Sequence, residues 1–227
     1  MSGPGLVIIA SAVVLLIAVV LVAWWLQLRR PRAMRAFATR HGLSYMGDTW
    51  VLGDCDFSLF RKGEKRSWSN VMTGQWNGVT VVYADYSFSD RDGRSSQTYV
   101  FSAVLTDLGC AMPEVEVTAR SMVGDLADSL SAQGLRLGPK EFDQRFVVNS
   151  DDESFAYELL DGRMIDVLLQ CPADLHVHFG PDRMIVWGRR RAPGDLEPIL
   201  DAAAALSQRV PVVARDGRRV PAAAVPR

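Results

Sequence analysis

The chain has 227 residues, 48% hydrophobic and 22% charged, with a formal net charge of −1 at pH 7. So even a balance argues against a dedicated nucleic-acid binder, which carries a strong basic excess, while the apolar content is enough for a soluble part to bury a core. Three widely spaced cysteines, Cys55, Cys110 and Cys171, form no Cys-x-x-Cys pair and argue against a disulfide framework or a zinc knuckle.

Residues 1–5 are short and uncharged, and from Leu6 to Leu26 the chain is apolar, with Ser11 its one non-aromatic polar residue. At 1.5 Å per residue this run spans roughly 31 Å, the thickness of a bilayer's hydrocarbon core, and predicts a transmembrane helix over residues 6–28. Trp24 and Trp25 close it at the headgroup level. A cleaved signal peptide would need a basic start, a shorter core and a small-residue cleavage site; a buried core helix would not be apolar all round. Arg29, Arg30, Arg32, Arg35 and Arg40 follow the run, against no Lys or Arg before it. By the positive-inside rule the N-terminus lies outside a bacterial plasma membrane and the following domain is cytoplasmic. The absence of an Asn-x-Ser/Thr sequon agrees. The lipid bilayer is thus the partner expected for residues 6–28.

Residues 29–42 read as a basic juxtamembrane helix, with Met34, Phe37 and Ala38 at helical spacing and Gly42 at its end. A domain over 43–212 follows; without anchor and tail the chain keeps roughly 180 residues, juxtamembrane helix included, enough for one domain or two small lobes. Its first part reads as β: Asn70 to Thr73, Val79 to Tyr86 and Thr98 to Thr106 are rich in β-branched and aromatic residues. Asn77-Gly78 signals a type I′ hairpin turn between the first two, and Ser89 to Ser96 a polar loop between the second and third. Ala119 to Leu130 carries Met122, Leu126 and Leu130 in helical register, and Gly134, Gly138 and Pro139 then mark a possible lobe boundary near 131–140. A strand is expected from Phe142 to Val148, then a helix capped by Ser150 or Asp151 and a second helical segment from Met164 to Leu169. A hairpin of Leu175 to Phe179 and Met184 to Trp187 precedes a last helix from near Asp195 to Pro211, with Leu196, Ile199, Leu200, Ala203 and Leu206 as its stripe. Residues 213–227, rich in Pro, Ala and Arg, are expected to be disordered. The order of elements predicts an α+β fold: antiparallel sheet with packed helices, preceded by one N-terminal transmembrane helix.

Five groups invite a functional reading. His176 and His178, two apart on a predicted strand, share a face as metal ligands do, with Cys171 or Asp174 as a third donor; the plainer reading has Leu175, Val177 and Phe179 buried and the histidines exposed. Asp90-x-Asp92-Gly93 resembles the start of a calcium loop, but an EF-hand needs its glycine sixth and a glutamate twelfth. Asp54-Cys55-Asp56 would raise its thiol's pKa, the wrong direction for a nucleophile. Arg189-Arg190-Arg191, with Arg215, Arg218 and Arg219, would suit lipid headgroups or a nucleic-acid backbone, the plainer reading being a solvated loop. Trp68, Trp76 and Trp187 would line a ligand groove or fill a core. No group outweighs its plainer reading, so no catalytic, cofactor or metal residue is assigned. There is no P-loop, Rossmann fingerprint, Gly-x-Ser-x-Gly or His-Glu-x-x-His.

Three segments carry a resemblance: Asn70-Val71-Met72-Thr73-Gly74, the tyrosine-rich strand ending in Asp85-Tyr86, and Glu141-Phe142-Asp143-Gln144-Arg145-Phe146-Val147-Val148 running into Asp151-Asp152. With them the chain resembles a family of actinobacterial-type single-pass membrane proteins carrying a domain of unknown function. The resemblance implies an anchor with a cytosolic domain, and no activity, cofactor or active site. The reading that follows is a non-enzymatic, membrane-tethered module binding a protein partner, with lipid or anionic small-molecule binding at the membrane surface as the alternative and an enzyme third.

Overall fold

A computed structural model describes Val13 and residues 29–49, 57–92, 95–121 and 134–211. The expected membrane segment, Val13 apart, the Asp54-Cys55-Asp56 triplet, most of the Ala119 to Leu130 helix and the tail from 213 lie outside these residues. Among the described residues no helix is long and apolar enough to cross a membrane.

Residues 29–40 form a helix, α1, as the Met34, Phe37 and Ala38 stripe requires; all three side chains are buried. Gly42, at φ +70°, turns the chain into the short edge strand β1 (Ser44–Gly47). A four-residue helix, α2 (Ser58–Arg61), then precedes three long strands, β2 (Glu64–Trp76), β3 (Val79–Asp92) and β4 (Ser95–Asp107). The β2–β3 turn is Asn77-Gly78 as expected, with φ of +49° and +80°. The stretch expected to form a polar loop, Ser89 to Ser96, is instead mostly ladder: β3 continues to Asp92 and β4 resumes at Ser95. Cross-strand pairing of small polar side chains, such as Ser89 Oγ to Thr98 Oγ1 at 3.1 Å, accounts for strand in so polar a sequence.

Past β4 the sequence misleads more often. Ala119, expected to open a helix, closes a strand, β5 (Val115–Ala119). Phe142, expected to open a strand, lies in helix α3 (Lys140–Arg145), and the strand β6 (Phe146–Ser150) starts only behind it. Pro139 accounts for this: its carbonyl accepts from the Phe142 and Asp143 amides and starts the helical turn. Helix α4 (Glu153–Leu159) is capped by Asp152, which accepts from the Phe155 amide at 2.9 Å, rather than by Ser150 or Asp151. Asp161 caps α5 (Gly162–Gln170) in the same way. The expected hairpin is present as β7 (His176–Phe179) and β8 (Arg183–Arg189), and the last helix as α6 (Glu197–Arg209), with Pro198 in its first turn.

The eight strands form one open antiparallel sheet in the order β1-β2-β3-β4-β8-β7-β5-β6, so strands from both sides of residues 131–140 interleave. This is the α+β class expected. Register fixes the faces. Tyr83, Val104, Val186, Val177, Val117 and Val148 stand in one row across six strands. Helix α6 packs on this face, burying Ile199, Leu200, Ala203 and Leu206 completely, with each Leu or Ile side chain worth about 1.5–3 kcal/mol. Trp76 Nε1 donates to Asp201 of α6 at 2.7 Å and Phe37 of α1 stacks on Trp76, so α1 lies on the same face. The other face carries buried rings, Trp68, Tyr86, Phe88, Phe101 and Trp187, with Phe57 and Phe60 of the α2 region packed on them.

Candidate functional site

Asp85 sits on the helix-covered face of β3 with its side chain fully buried. An ionised carboxylate there is costly unless its lone pairs are filled. Four donors fill them: Arg30 Nε and Asn70 Nδ2 reach Oδ2 at 2.6 and 2.9 Å, and Arg30 Nη2 and the Tyr83 hydroxyl reach Oδ1 at 2.7 and 2.8 Å. The guanidinium is bidentate, the geometry of strong Arg–carboxylate pairs. Asn70 reaches inward because β2 bulges between Ser69 and Met72, where Asn70 takes φ +53°. Tyr45 then donates to Asn70 Oδ1 at 3.0 Å.

The network continues past Asp85. Burial, then the charge of Asp85, pushes the Tyr83 phenol well above its ordinary range, so it keeps its proton and donates. Ser102 Oγ, 2.8 Å from Tyr83, must then donate to the phenol oxygen while accepting from the Arg191 amide at 2.9 Å. Burial works to lower the Arg30 pKa, but its hydrogen bonds to Asp85 and that residue's charge outweigh it and leave the guanidinium firmly cationic. Arg30 Nη1 also donates to the Arg191 carbonyl at 2.8 Å, tying α1 to the chain leaving β8.

The arginine cluster is therefore no detached loop. Arg190 lies 3.6 Å from Asp85 Oδ2 with 45% of its side chain exposed, and Arg191 pairs with Asp174, which also accepts from the Arg189 amide. Arg215, Arg218 and Arg219 lie outside the described residues. Register extends this end of the sheet: Asp85 pairs with Ser102 and Ser102 with Gly188, while the Ala119 amide bonds Leu175 one residue before β7. Arg120, directly after β5, thus stands just past the row of Asp85, about 19 Å from it across the strands, and about 10 Å from the end of β8 that leads into Arg190.

The histidine pair departs from expectation. Both rings are buried, at 2% and 4% exposure, because β7 is an interior strand covered on both faces. His176 Nε2 is 2.9 Å from Glu116 Oε1 and the ring stacks on Trp187; His178 Nε2 is 3.4 Å from Glu114 and meets the edge of Phe57. Burial lowers the pKa of both. Cys171 and Asp174 do not join them, Asp174 being held by Arg191, and among the described residues no three His, Cys, Asp or Glu are placed to hold a metal. Asp90 and Asp92 are ladder residues opposite Gln97 and Ser95 rather than residues of a loop. Trp68 and Trp187 share one face, bridged by Tyr86, Phe88 and Phe101, whereas Trp76 is on the other; both lie within the core rather than lining a common groove.

Sequence reasoning missed the Asp85 network. A signal was present, a lone Asp in the apolar strand Val79 to Tyr86, and Asn70 and Asp85 both belong to the segments carrying the family resemblance.

No protein-family model matches the chain, and no curated protein matches its sequence. Among solved structures, its fold is similar to that of the mycobacterial trehalose monomycolate transport factor A, TtfA, with a TM-score of 0.61 at 15% identity, over 85% of this chain and 98% of the solved TtfA chain.

Proposed function

We propose that the chain is a membrane-tethered lipid-handling factor, a binding protein working at the membrane surface in glycolipid transport. The observation that carries this is the Arg30–Asp85 clamp, which holds the foot of the expected anchor against the sheet end bearing Arg190 and Arg191. A basic sheet end beside an anchor suits lipid headgroups. The fold likeness supports the reading, since TtfA is a trehalose monomycolate transport factor and nearly the whole of its solved chain is matched. A protein partner has less support: among the described residues the exposed large apolar side chains are only Val13, Met46 and Tyr157. In this reading residues 6–28 cross a bacterial plasma membrane and the domain lies on its cytoplasmic side.

The test is photocrosslinking of the full-length chain, reconstituted in neutral phospholipid membranes, with a photoactivatable acyl-trehalose. Crosslinking suppressed by unlabelled acyl-trehalose is expected. Crosslinking that an equal amount of plain phospholipid suppresses just as well would overturn the reading.

A further inference from the structure

Beside Arg120, at the β5–β6 edge of the sheet, lies a groove of about 840 Å³ lined by Gly134, Arg136, Lys140, Asp143 and Gln144 as well as Arg120 itself. We propose that this groove binds a phosphate group, and that its natural occupant is the phosphate of an anionic headgroup; the inference rests on the reading that the domain works at the membrane surface.

Three observations carry it. First, charge: Arg120, Arg136 and Lys140 line the groove against the single carboxylate of Asp143. Two acids of the neighbouring strand ends are committed, Asp85 to Arg30 and Asp174 to Arg191. Second, orientation: Arg120 Nε donates to the Asp143 carbonyl at 2.9 Å, fixing the plane of the guanidinium. Its terminal nitrogens then form the planar fork that takes two phosphate oxygens. Third, place and size: register puts Arg120 just past the row of Asp85, at the ends of β5 and β8 where Arg190 follows, and the volume falls within the roughly 300–1,000 Å³ typical of small-molecule pockets. Gly138 keeps the floor close, since a Cβ there would meet Ile165 at 3.0 Å.

The lysine content supplies a probe. Lys62, Lys65 and Lys140 are the only lysines in the chain, so amine-reactive footprinting read by mass spectrometry reports Lys140 against two internal references. The full-length chain is footprinted in nanodiscs of phosphatidylcholine, in nanodiscs containing phosphatidylglycerol, and in phosphatidylcholine nanodiscs with added glycerol phosphate. Several-fold protection of Lys140 by phosphatidylglycerol, lost in Arg120→Gln and Arg136→Gln variants whose thermal melts are unchanged, is the expected result. Protection by soluble glycerol phosphate, with the same dependence on both arginines, supports the phosphate site and assigns it a soluble source. Lys140 protection in neither case, or protection indifferent to Arg120 and Arg136, overturns the proposal. Acyl-trehalose crosslinking without Lys140 protection removes the groove alone, and protection without crosslinking removes the glycolipid reading alone.

Discussion

Arg30 and Asp85, 55 residues apart, meet through two nearly parallel hydrogen bonds of 2.6 and 2.7 Å, with the arginine side chain 16% exposed and the carboxylate 0%. Removing one member of such a pair costs more than the pair contributes, because the other charge stays buried. Arg30→Ala strands the fully buried carboxylate and is expected to cost about 3–5 kcal/mol, softened by the donors of Asn70 and Tyr83. Asp85→Ala strands the guanidinium together with the buried donors of Asn70 and Tyr83 and is expected to cost at least as much. The double variant should be more stable than the sum of the singles implies. Denaturant midpoints of the full-length chain in detergent check this; two single effects that add to within about 0.5 kcal/mol would show that the pair is uncoupled.

The buried histidines make stability depend on pH. Burial lowers the pKa of His176 and His178 in the folded chain below the ordinary value of 6.5. Once pH falls below about 6.5 the unfolded chain binds protons that the folded chain refuses, so stability is full above that point and declines as pH drops toward the folded pKa values. Glu116 and Glu114 oppose the shift without reversing it. His176→Gln should flatten the dependence of the melting temperature between neutral and mildly acidic pH. A slope equal to that of the unsubstituted chain would mean that His176 titrates normally.

The sequence carried the local part of this structure and missed what depends on distant pairing. The Asn77-Gly78 turn and the α6 stripe were legible because each rests on neighbouring residues, a pair of positive-φ positions or a 3.6-residue period. The exposure of His176 and His178 was misread because alternation with Leu175, Val177 and Phe179 implies a one-sided strand. The histidine face is covered by rings distant in sequence, Phe57 against His178 and Trp187 against His176, which nothing local to β7 announces. Asp85 could be flagged as a charge in an apolar strand, but nothing local to it points to Arg30 or Arg190. The basic groove was illegible for a similar reason: Arg120 and Lys140 come together only through the packing of α3 beside β6.

The β2–β3 turn offers a test of backbone strain separate from packing. A Cβ at Gly78 would have its nearest neighbour, Gln208 Nε2, at 4.0 Å, so space permits a side chain, yet the φ of +80° disfavours one. Gly78→Ala is therefore expected to cost about 1 kcal/mol from conformation alone. The reverse case is Gly63, where a Cβ would lie 2.7 Å from the Ser89 carbonyl oxygen as well as at φ +62°. Gly63→Ala should cost more than Gly78→Ala by thermal or denaturant unfolding, and equal costs would deny that the backbone contact matters.

Cys171 tests whether its thiol serves packing rather than chemistry. The side chain is 8% exposed, and burial pushes its pKa up to about 11 despite the nearby Arg145 guanidinium, which donates to the Cys171 carbonyl. Since the thiolate is the reactive form, its population at pH 8 should be on the order of a hundredfold below that of an ordinary cysteine, before any loss of access is counted. In a chain carrying Cys55→Ser and Cys110→Ala, a disulfide-exchange reagent should modify Cys171 slowly in native conditions and rapidly once denaturant is added. Native labelling as fast as that of a small free thiol would show that Cys171 is both accessible and activated, and would make it a candidate for chemistry after all.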